Sequence, residues 1–318
     1  MAISKSFKIF SLIAVAATFL LSVIGGVVRI TGSGDACPDW PLCHGSIIPP
    51  FELHIWIEWT HRLSAGVASA AIAITVLWAT LTYRREAIIL RSAWLTVVLL
   101  VAQIILGALV VRYGLPPALV GIHLGNALLI LGALVAVSVF AYRPWVVAPT
   151  LNHPTLRRNI LLSLLGVYAL IISGTVVVGL QATVACGAWP WGWPLCNAGV
   201  LPNDFSQVIN LTHRYIAAGI GLFLIYTLRQ TLRVARHVPL LRRTAHTVIG
   251  LFGLQVIGGG INALSNFNQF WNSLHLVLAV AVWCGMVAFA IIGWHVLSPA
   301  TTEQATLSRA QSATAGGR

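Results

Sequence analysis

Four histidines of this 318-residue chain fall at two pairs of equivalent places. "EWTHRLSAG" at 58–66 corresponds to "NLTHRYIAAG" at 210–219, and "QIILGALV" at 103–110 to "QVIGGGIN" at 255–262. "IHLGNALL" at 122–129 corresponds to "LHLVLAV" at 274–280. His61 and His213, Gln103 and Gln255, and His123 and His275 are each 152 residues apart, the mark of an internal duplication. An imidazole is a metal ligand through either ring nitrogen. Two of them facing across a helical bundle are what a six-coordinate haem iron requires. A non-haem metal would want a third or fourth ligand at the same depth, and only Glu58, in one half, is available. A lone intramembrane histidine commonly serves as an interhelical hydrogen-bonder. Four in register across a duplication favour haem.

The elements that position these residues follow from composition. Hydrophobic residues make up 58% and charged residues 8%, with a mean hydropathy of +0.88, too few charges to cover a soluble domain. A membrane span needs about 20 mostly apolar residues. Eight stretches meet this, near 9–29, 60–82, 92–112, 119–141, 160–180, 208–229, 244–264 and 271–296. Lipid offers the backbone no hydrogen-bond partners, so they are expected to be helices. The first, behind Lys5 and Lys8, could be read as a signal peptide, but it is long for one and lacks a small-residue cleavage motif near its end. The fold class expected is an all-α integral membrane protein of eight helices.

The net charge of +12 is distributed as topology requires and excludes a nucleic-acid surface. Lys5, Lys8, Arg84, Arg85, Arg91, Arg143, Arg157, Arg158, Arg229, Arg233, Arg236, Arg242 and Arg243 flank alternate helix ends. Those ends are cytoplasmic by the positive-inside rule, which puts both termini inside. Asp35, Asp39, Glu52, Glu58 and Asp204, five of the seven acids, fall on the other side. The expected location is a prokaryotic plasma membrane, with histidines and cysteines toward the outer face.

An even number of helices per copy sends the second copy into the membrane in the same orientation as the first. The copies should then be two tandem four-helix bundles related by a pseudo-two-fold along the membrane normal. Residues 1–150 and 151–298 form the two units, and 299–318, rich in Ala, Thr, Ser and Gln, is expected to be disordered. In an up-down-up-down bundle the second and fourth helices lie on a diagonal. His61 faces His123 on one such diagonal, and His213 faces His275 on the other. Arg29, Arg62, Arg112 and Arg214 lie near the same end, against the charge trend, and arginine forks suit haem propionates; ordinary snorkelling at a helix end is the plainer role. His153, His237, His246 and His295 fall near cytoplasmic ends, while His44 and His54 fall in the first outer loop.

That loop and its counterpart share a tetrapeptide, "PDWPLCHG" at 38–45 and "GWPLCNAG" at 192–199. An oxidising compartment makes disulfides Cys37–Cys43 and Cys186–Cys196 the expectation. Cys284, mid-helix, reads as a small core residue. The copies differ at one place of chemical weight: Glu58, a helical turn before His61, corresponds to Asn210. A carboxylate beside a haem ligand can take a proton or stabilise a forming cation. Asparagine can do neither. A plainer role for Glu58 is to cap its helix or pair with Arg62.

On "EWTHR" at 58–62, "THR" at 212–214, "IHLG" at 122–125, "LHL" at 274–276 and the paired-cysteine loops, the chain resembles the haem A synthase family over all eight helices, in its cysteine-containing branch. The resemblance implies a membrane oxidoreductase for cytochrome oxidase assembly. It would oxidise the C8 methyl of haem O to a formyl group by successive hydroxylations. It implies a resident haem b with iron ligands His213 and His275, substrate haem O on His61 and His123, and Glu58 as the catalytic carboxylate. The partners it implies are the farnesyltransferase that makes haem O and an electron acceptor that the sequence does not identify. A di-haem b-type electron carrier without chemistry on the porphyrin predicts the same histidines but leaves Glu58 unexplained. A quinone-linked thiol oxidase would have no use for paired histidines. A transporter would want polar residues at the midplane.

Overall fold

The computed structural model describes residues 2–143, 150–187, 190–197 and 199–299. In it the chain forms eight helices: α1 (Lys5–Ile30), α2 (Leu53–Thr82), α3 (Ala87–Arg112), α4 (Pro117–Tyr142), α5 (Pro154–Gly179), α6 (Phe205–Val234), α7 (Pro239–Leu264) and α8 (Gln269–Val296). Each is long and apolar enough to cross a membrane, and the protein is an all-α membrane protein. The helices exceed the hydropathic stretches, because charged residues can end an apolar run without ending the helix when their heads reach water. Helix α2 gains two turns this way, which moves His54 from the loop into the helix. The expected tail at 299–318 lies, beyond Pro299, outside the described residues.

Local chemistry sets the helix ends. Helices α4, α5 and α7 begin with proline at the first helical position, where its missing N–H costs nothing. Ser4, Asp204 and Asn268 cap α1, α6 and α8 through their side-chain oxygens. The odd-numbered helices all end alike. Ser33, Leu115, Ala182 and Phe267 each donate a backbone N–H across five residues, to the carbonyls of Val28, Val110, Val177 and Asn262, all at 2.9 Å. This closure needs a left-handed residue just past the helix. The first half uses Gly32 and Gly114 there; the second uses Gln181 and Asn266, with φ near +56°.

Helices α1 to α4 pack in a ring in which α1 meets α2 and α4, and α3 meets α2 and α4; α5 to α8 repeat that ring. The second and fourth helices therefore stand on diagonals. The halves meet through α4 against α8, flanked by α1 against α8 and α4 against α5, which are repeat-equivalent pairings. Helix α4 is central, with 67% of its apolar window buried, whereas α3 buries 6% and faces lipid. At the seam Trp283 of α8 lies on Gly132 of α4, donates its indole N–H to the Leu128 carbonyl at 2.7 Å, and packs against Tyr168 of α5. At the arginine-rich end Arg143 pairs with Glu86, and Arg157 stacks on Trp294.

A Cβ on Gly132 would lie 3.2 Å from the Trp283 ring, whereas Gly66 faces open space. Overpacking a close helix contact costs about 1–3 kcal/mol. Gly132→Leu is therefore expected to lower the thermal unfolding midpoint in detergent by several degrees, and Gly66→Leu to leave it near wild type.

Candidate functional site

The histidine pairs sit at the end of the bundle that carries the disulfide loops. His61 on α2 and His123 on α4 stand on one diagonal of the first ring, as His213 on α6 and His275 on α8 do in the second. Each imidazole lies against a glycine of the preceding helix. A Cβ on Gly25, Gly107, Gly174 or Gly259 would meet the Cε1 of His61, His123, His213 or His275 at 2.9, 3.4, 3.3 and 2.8 Å respectively. A side chain at any of these four positions would press on the ring edge. These glycines lie within apolar runs that hold further glycines in close contacts of other kinds, Gly26 against Leu276 and Gly258 against Leu278 among them, so residue type alone does not single them out. The recurrence of Gly107 and Gly259 at the 152-residue spacing was the one available signal.

The ring nitrogens are unevenly satisfied. Ser173 donates its hydroxyl to the Leu170 carbonyl at 2.7 Å and meets His213 Nδ1 at 2.7 Å. Its only proton is spent, so it accepts from Nδ1–H and leaves His213 Nε2 bare. Gln103 and Gln255 amide nitrogens approach His123 and His275 Nε2 at 3.0 and 3.3 Å. Among the described residues, Nδ1 of His61, His123 and His275 is buried without a hydrogen-bond partner. Buried polar atoms without partners are uncommon in native folds. An iron held through Nε2 leaves these Nδ1 atoms as they are; what fits a planar group ligated from both sides is the set of four imidazoles on two diagonals, each with a glycine opposite. No three His, Cys, Asp or Glu side chains converge as a metal site among the described residues.

Above each pair lies a stapled loop. Cys37–Cys43 and Cys186–Cys196 are disulfides, and Cys284 is free. Both loops carry the same local form: a cis Trp-Pro bond at Trp40–Pro41 and Trp193–Pro194, and a one-pair bridge from Cys43 to Ser46 and from Cys196 to Gly199. An arginine from the helix below ties each loop down. Arg62 donates to the carbonyls of Cys37 (2.9 Å), Asp39 (2.6 Å) and Leu42. Arg214 donates to those of Gly192 (2.6 Å), Pro194 (3.3 Å) and Leu195 (2.7 Å). Both guanidinium groups are thus engaged with loop backbone. Arg29 and Arg112 are exposed at the ends of α1 and α3. The Gly45 and His44 backbone N–H groups, with help from Arg62, hold the Asp39 carboxyl below its usual range.

Glu58 is buried, 4% exposed, and both of its oxygens are occupied. One accepts from the Cys37 backbone N–H at 2.8 Å, the other from Arg62 at 2.5 Å. The N-cap position of α2 is Glu52, which makes no side-chain cap hydrogen bond, and Glu58 lies inside the helix. Asn210 fills the same position with reversed polarity. Its amide donates to the Ala182 and Thr183 carbonyls at 2.7 and 3.0 Å, and its oxygen accepts from Arg214 at 2.7 Å. Both residues pin a loop; only Glu58 does so with a carboxylate. Among the remaining histidines, His54 meets Ser33 Oγ at 2.9 Å, His44 meets the Ala36 carbonyl at 2.9 Å, and His153 caps α5. His295 packs edge-on to Phe140.

The glycine contacts carry a prediction. With the pairs read as haem ligands, Gly25→Ala and Gly259→Ala, whose Cβ would press on the His61 and His275 rings at 2.9 and 2.8 Å, are each expected to weaken haem retention at that pair by about tenfold or more. Haem-to-protein ratios of the purified variants, measured by extraction, would check this.

Comparison with known proteins gives the family. The family model described as COX15-CtaA, cytochrome oxidase assembly protein, matches residues 8–55 and 50–287. A protein named heme A synthase from Alkalihalophilus pseudofirmus is 32% identical over 287 residues, covering 87% of this chain and 93% of the relative. Another of that name, from Symbiobacterium thermophilum, is 30% identical over 84% of this chain and 89% of its own length. A protein named protoheme IX farnesyltransferase from Thermus thermophilus is 28% identical over 85% of this chain, a match spanning 46% of that protein. A match over nearly the whole of the eight-helix body places the chain in the COX15-CtaA family of cytochrome oxidase assembly proteins.

Proposed function

We propose that this protein is a haem A synthase, a membrane oxidoreductase that converts the C8 methyl of haem O to a formyl group. The observation that carries the reading is the single acidic asymmetry between otherwise matched sites: Glu58 beside His61, Asn210 beside His213. On this reading residues 1–150 form the substrate half, with His61 and His123 as ligands of haem O. Residues 151–298 form the half that keeps a haem b on His213 and His275. The bound haem b supplies a redox-active iron that can take electrons one at a time. Family membership and the relatives named heme A synthase support the activity.

The chain's own residues then divide the work. Gly25, Gly107, Gly174 and Gly259 leave room for four imidazoles to face inward. Ser173 holds His213 in the tautomer whose Nε2 can donate a lone pair. The disulfide loops, drawn down by Arg62 and Arg214, shield the ligands from water. Arg29 and Arg112, exposed at the same end, are the better placed propionate partners, because Arg62 and Arg214 already serve loop carbonyls. Glu58 presents a fixed negative charge one turn from His61. Oxidising a methyl group on a macrocycle builds positive charge at its edge, and a buried carboxylate stabilises such charge far more than it would in water. Arg62 keeps that carboxylate from leaving its position.

The concentration of arginine at the opposite end supports cytoplasmic termini and a site toward the outer face of a bacterial plasma membrane. Haem O would come from the farnesyltransferase that makes it. The relative named protoheme IX farnesyltransferase, which contains a segment like this chain, supports a close partnership with that activity. The electron acceptor is a further partner of unassigned identity. One observation favours the alternative of a di-haem electron carrier: Glu58 has structural employment with Cys37 and Arg62.

Extraction and chromatography of haems from purified Glu58→Gln separates the two readings. Glutamine can still accept from the Cys37 N–H, so the fold and the haem b content are expected to hold. Haem A formation is expected to fall by at least 100-fold, the scale lost with one electrostatic stabiliser. Normal haem A production in this variant would remove Glu58 from the chemistry.

A further inference from the structure

The two halves hold their helix-four histidines differently, and the difference lies in a residue outside the ligand set. In the first half Asn126 Nδ2 donates to the Leu99 carbonyl at 2.9 Å and approaches Gln103 Oε1 at 2.7 Å. A backbone carbonyl only accepts, so the atom facing it is the amide nitrogen of Asn126. An amide nitrogen only donates, so the Gln103 atom it meets is the oxygen. The other end of Gln103 is then its NH2 group, which lies 3.0 Å from His123 Nε2. A donor there requires Nε2 to be bare, with the ring proton on Nδ1. One carbonyl on α3 thus determines, through two side-chain amides, which nitrogen of His123 carries a lone pair.

The second half lacks this relay. The position equivalent to Asn126 is Leu278, which packs toward Gly258. Gln255 Oε1 is buried with no hydrogen-bond partner among the described residues, and its nitrogen stands 3.3 Å from His275 Nε2. Among the described residues no hydrogen bond holds the Gln255 side-chain oxygen, so the amide can turn over and offer that oxygen instead, which would place the proton on Nε2.

We infer that Asn126 and Gln103 are positioning residues that keep His123 Nε2 free of a proton, ready to take a haem iron at each substrate arrival. The inference rests on the proposed function, in which the first site reloads every turnover and the second is filled once. A site filled once can wait for a tautomer change. A site filled repeatedly gains from a ligand that needs none. When the iron arrives, the Gln103 N–H···Nε2 hydrogen bond breaks, the iron–nitrogen bond forms, and the proton stays on Nδ1. No base is required to remove a proton.

The test uses purified full-length protein in detergent and hemin as probe. Asn126→Leu copies the second half and frees the Gln103 amide. Gln103→Glu is nearly isosteric and faces His123 with an acceptor, so Nε2 must carry the proton. In both, stopped-flow absorbance is expected to show hemin association at the His61/His123 site slowed by about tenfold, the lower end of what a ligand's hydrogen-bond partner contributes. With haem O as substrate, KM rises more than kcat falls. Haem retained on His213 and His275, counted by extraction, stays at the wild-type level and reports an intact fold. Wild-type association rates in both variants would overturn the relay while leaving the proposed function standing. If His123→Ala leaves the wild-type hemin signal unchanged, the substrate site itself is wrongly assigned, and the reading beneath the inference falls.

Discussion

Hydrocarbon is a solvent without hydrogen-bond partners, and nearly every feature of this protein answers that constraint. A polar group placed between these helices has to be satisfied by another part of the chain or by a bound group. Buried hydroxyls meet it cheaply by bonding back to their own helix, as Thr75 does to Ala71 and Thr231 to Thr227. The four odd-numbered helices close their last carbonyls with the same five-residue return before the chain enters a loop. The imidazoles cannot be satisfied so locally. Nδ1 of His61, His123 and His275, on rings set against glycine backbone, has no partner among the described residues, and such departures from the rule concentrate at functional sites.

The same constraint explains the form of the loops. A loop over a buried site exposes backbone carbonyls that need donors, and each half meets the need with one arginine. Arg62 and Arg214 each reach three loop carbonyls from the helix below. A guanidinium presents five donors in a rigid fork, which lysine could not reproduce. Each arginine also needs an acceptor on its own helix four residues earlier, and there the duplication diverges. Asn210 meets the requirement with a neutral amide; Glu58 meets it with a charge. The acceptor for the arginine is common to both halves, and a neutral amide meets that need; Glu58 differs in also accepting the Cys37 N–H, where Asn210 donates to Ala182 and Thr183.

Much of this was legible in the chain itself. Eight spans follow from apolar runs, and the duplication from Thr-His-Arg and its neighbours repeating at constant spacing. The diagonal placement of each histidine pair follows from four helices and short connections. Both disulfides follow from paired cysteines in loops opposite the arginine-rich ends. The arginines were harder. Arg62 and Arg214 could be read as anion sites from their position, but their engagement with Leu42, Pro194 and their neighbours depends on how the loops fold back. Gln103 was visible as a repeated residue without a role, and Asn126 was not visible at all, because its meaning lies in a contact with Leu99 on another helix.

The sequence by itself determined the fold class, the repeat, the four matched histidines and the one acidic asymmetry, because each is written in residue type and spacing along a single helix. Tertiary structure alone decided which glycines face an imidazole, which arginines are already spent on loop carbonyls, and which amides stand against His123. Those are properties of pairs of helices. Rotating a helix by one residue turns it about 100°, enough to exchange every such partner while leaving its sequence unchanged.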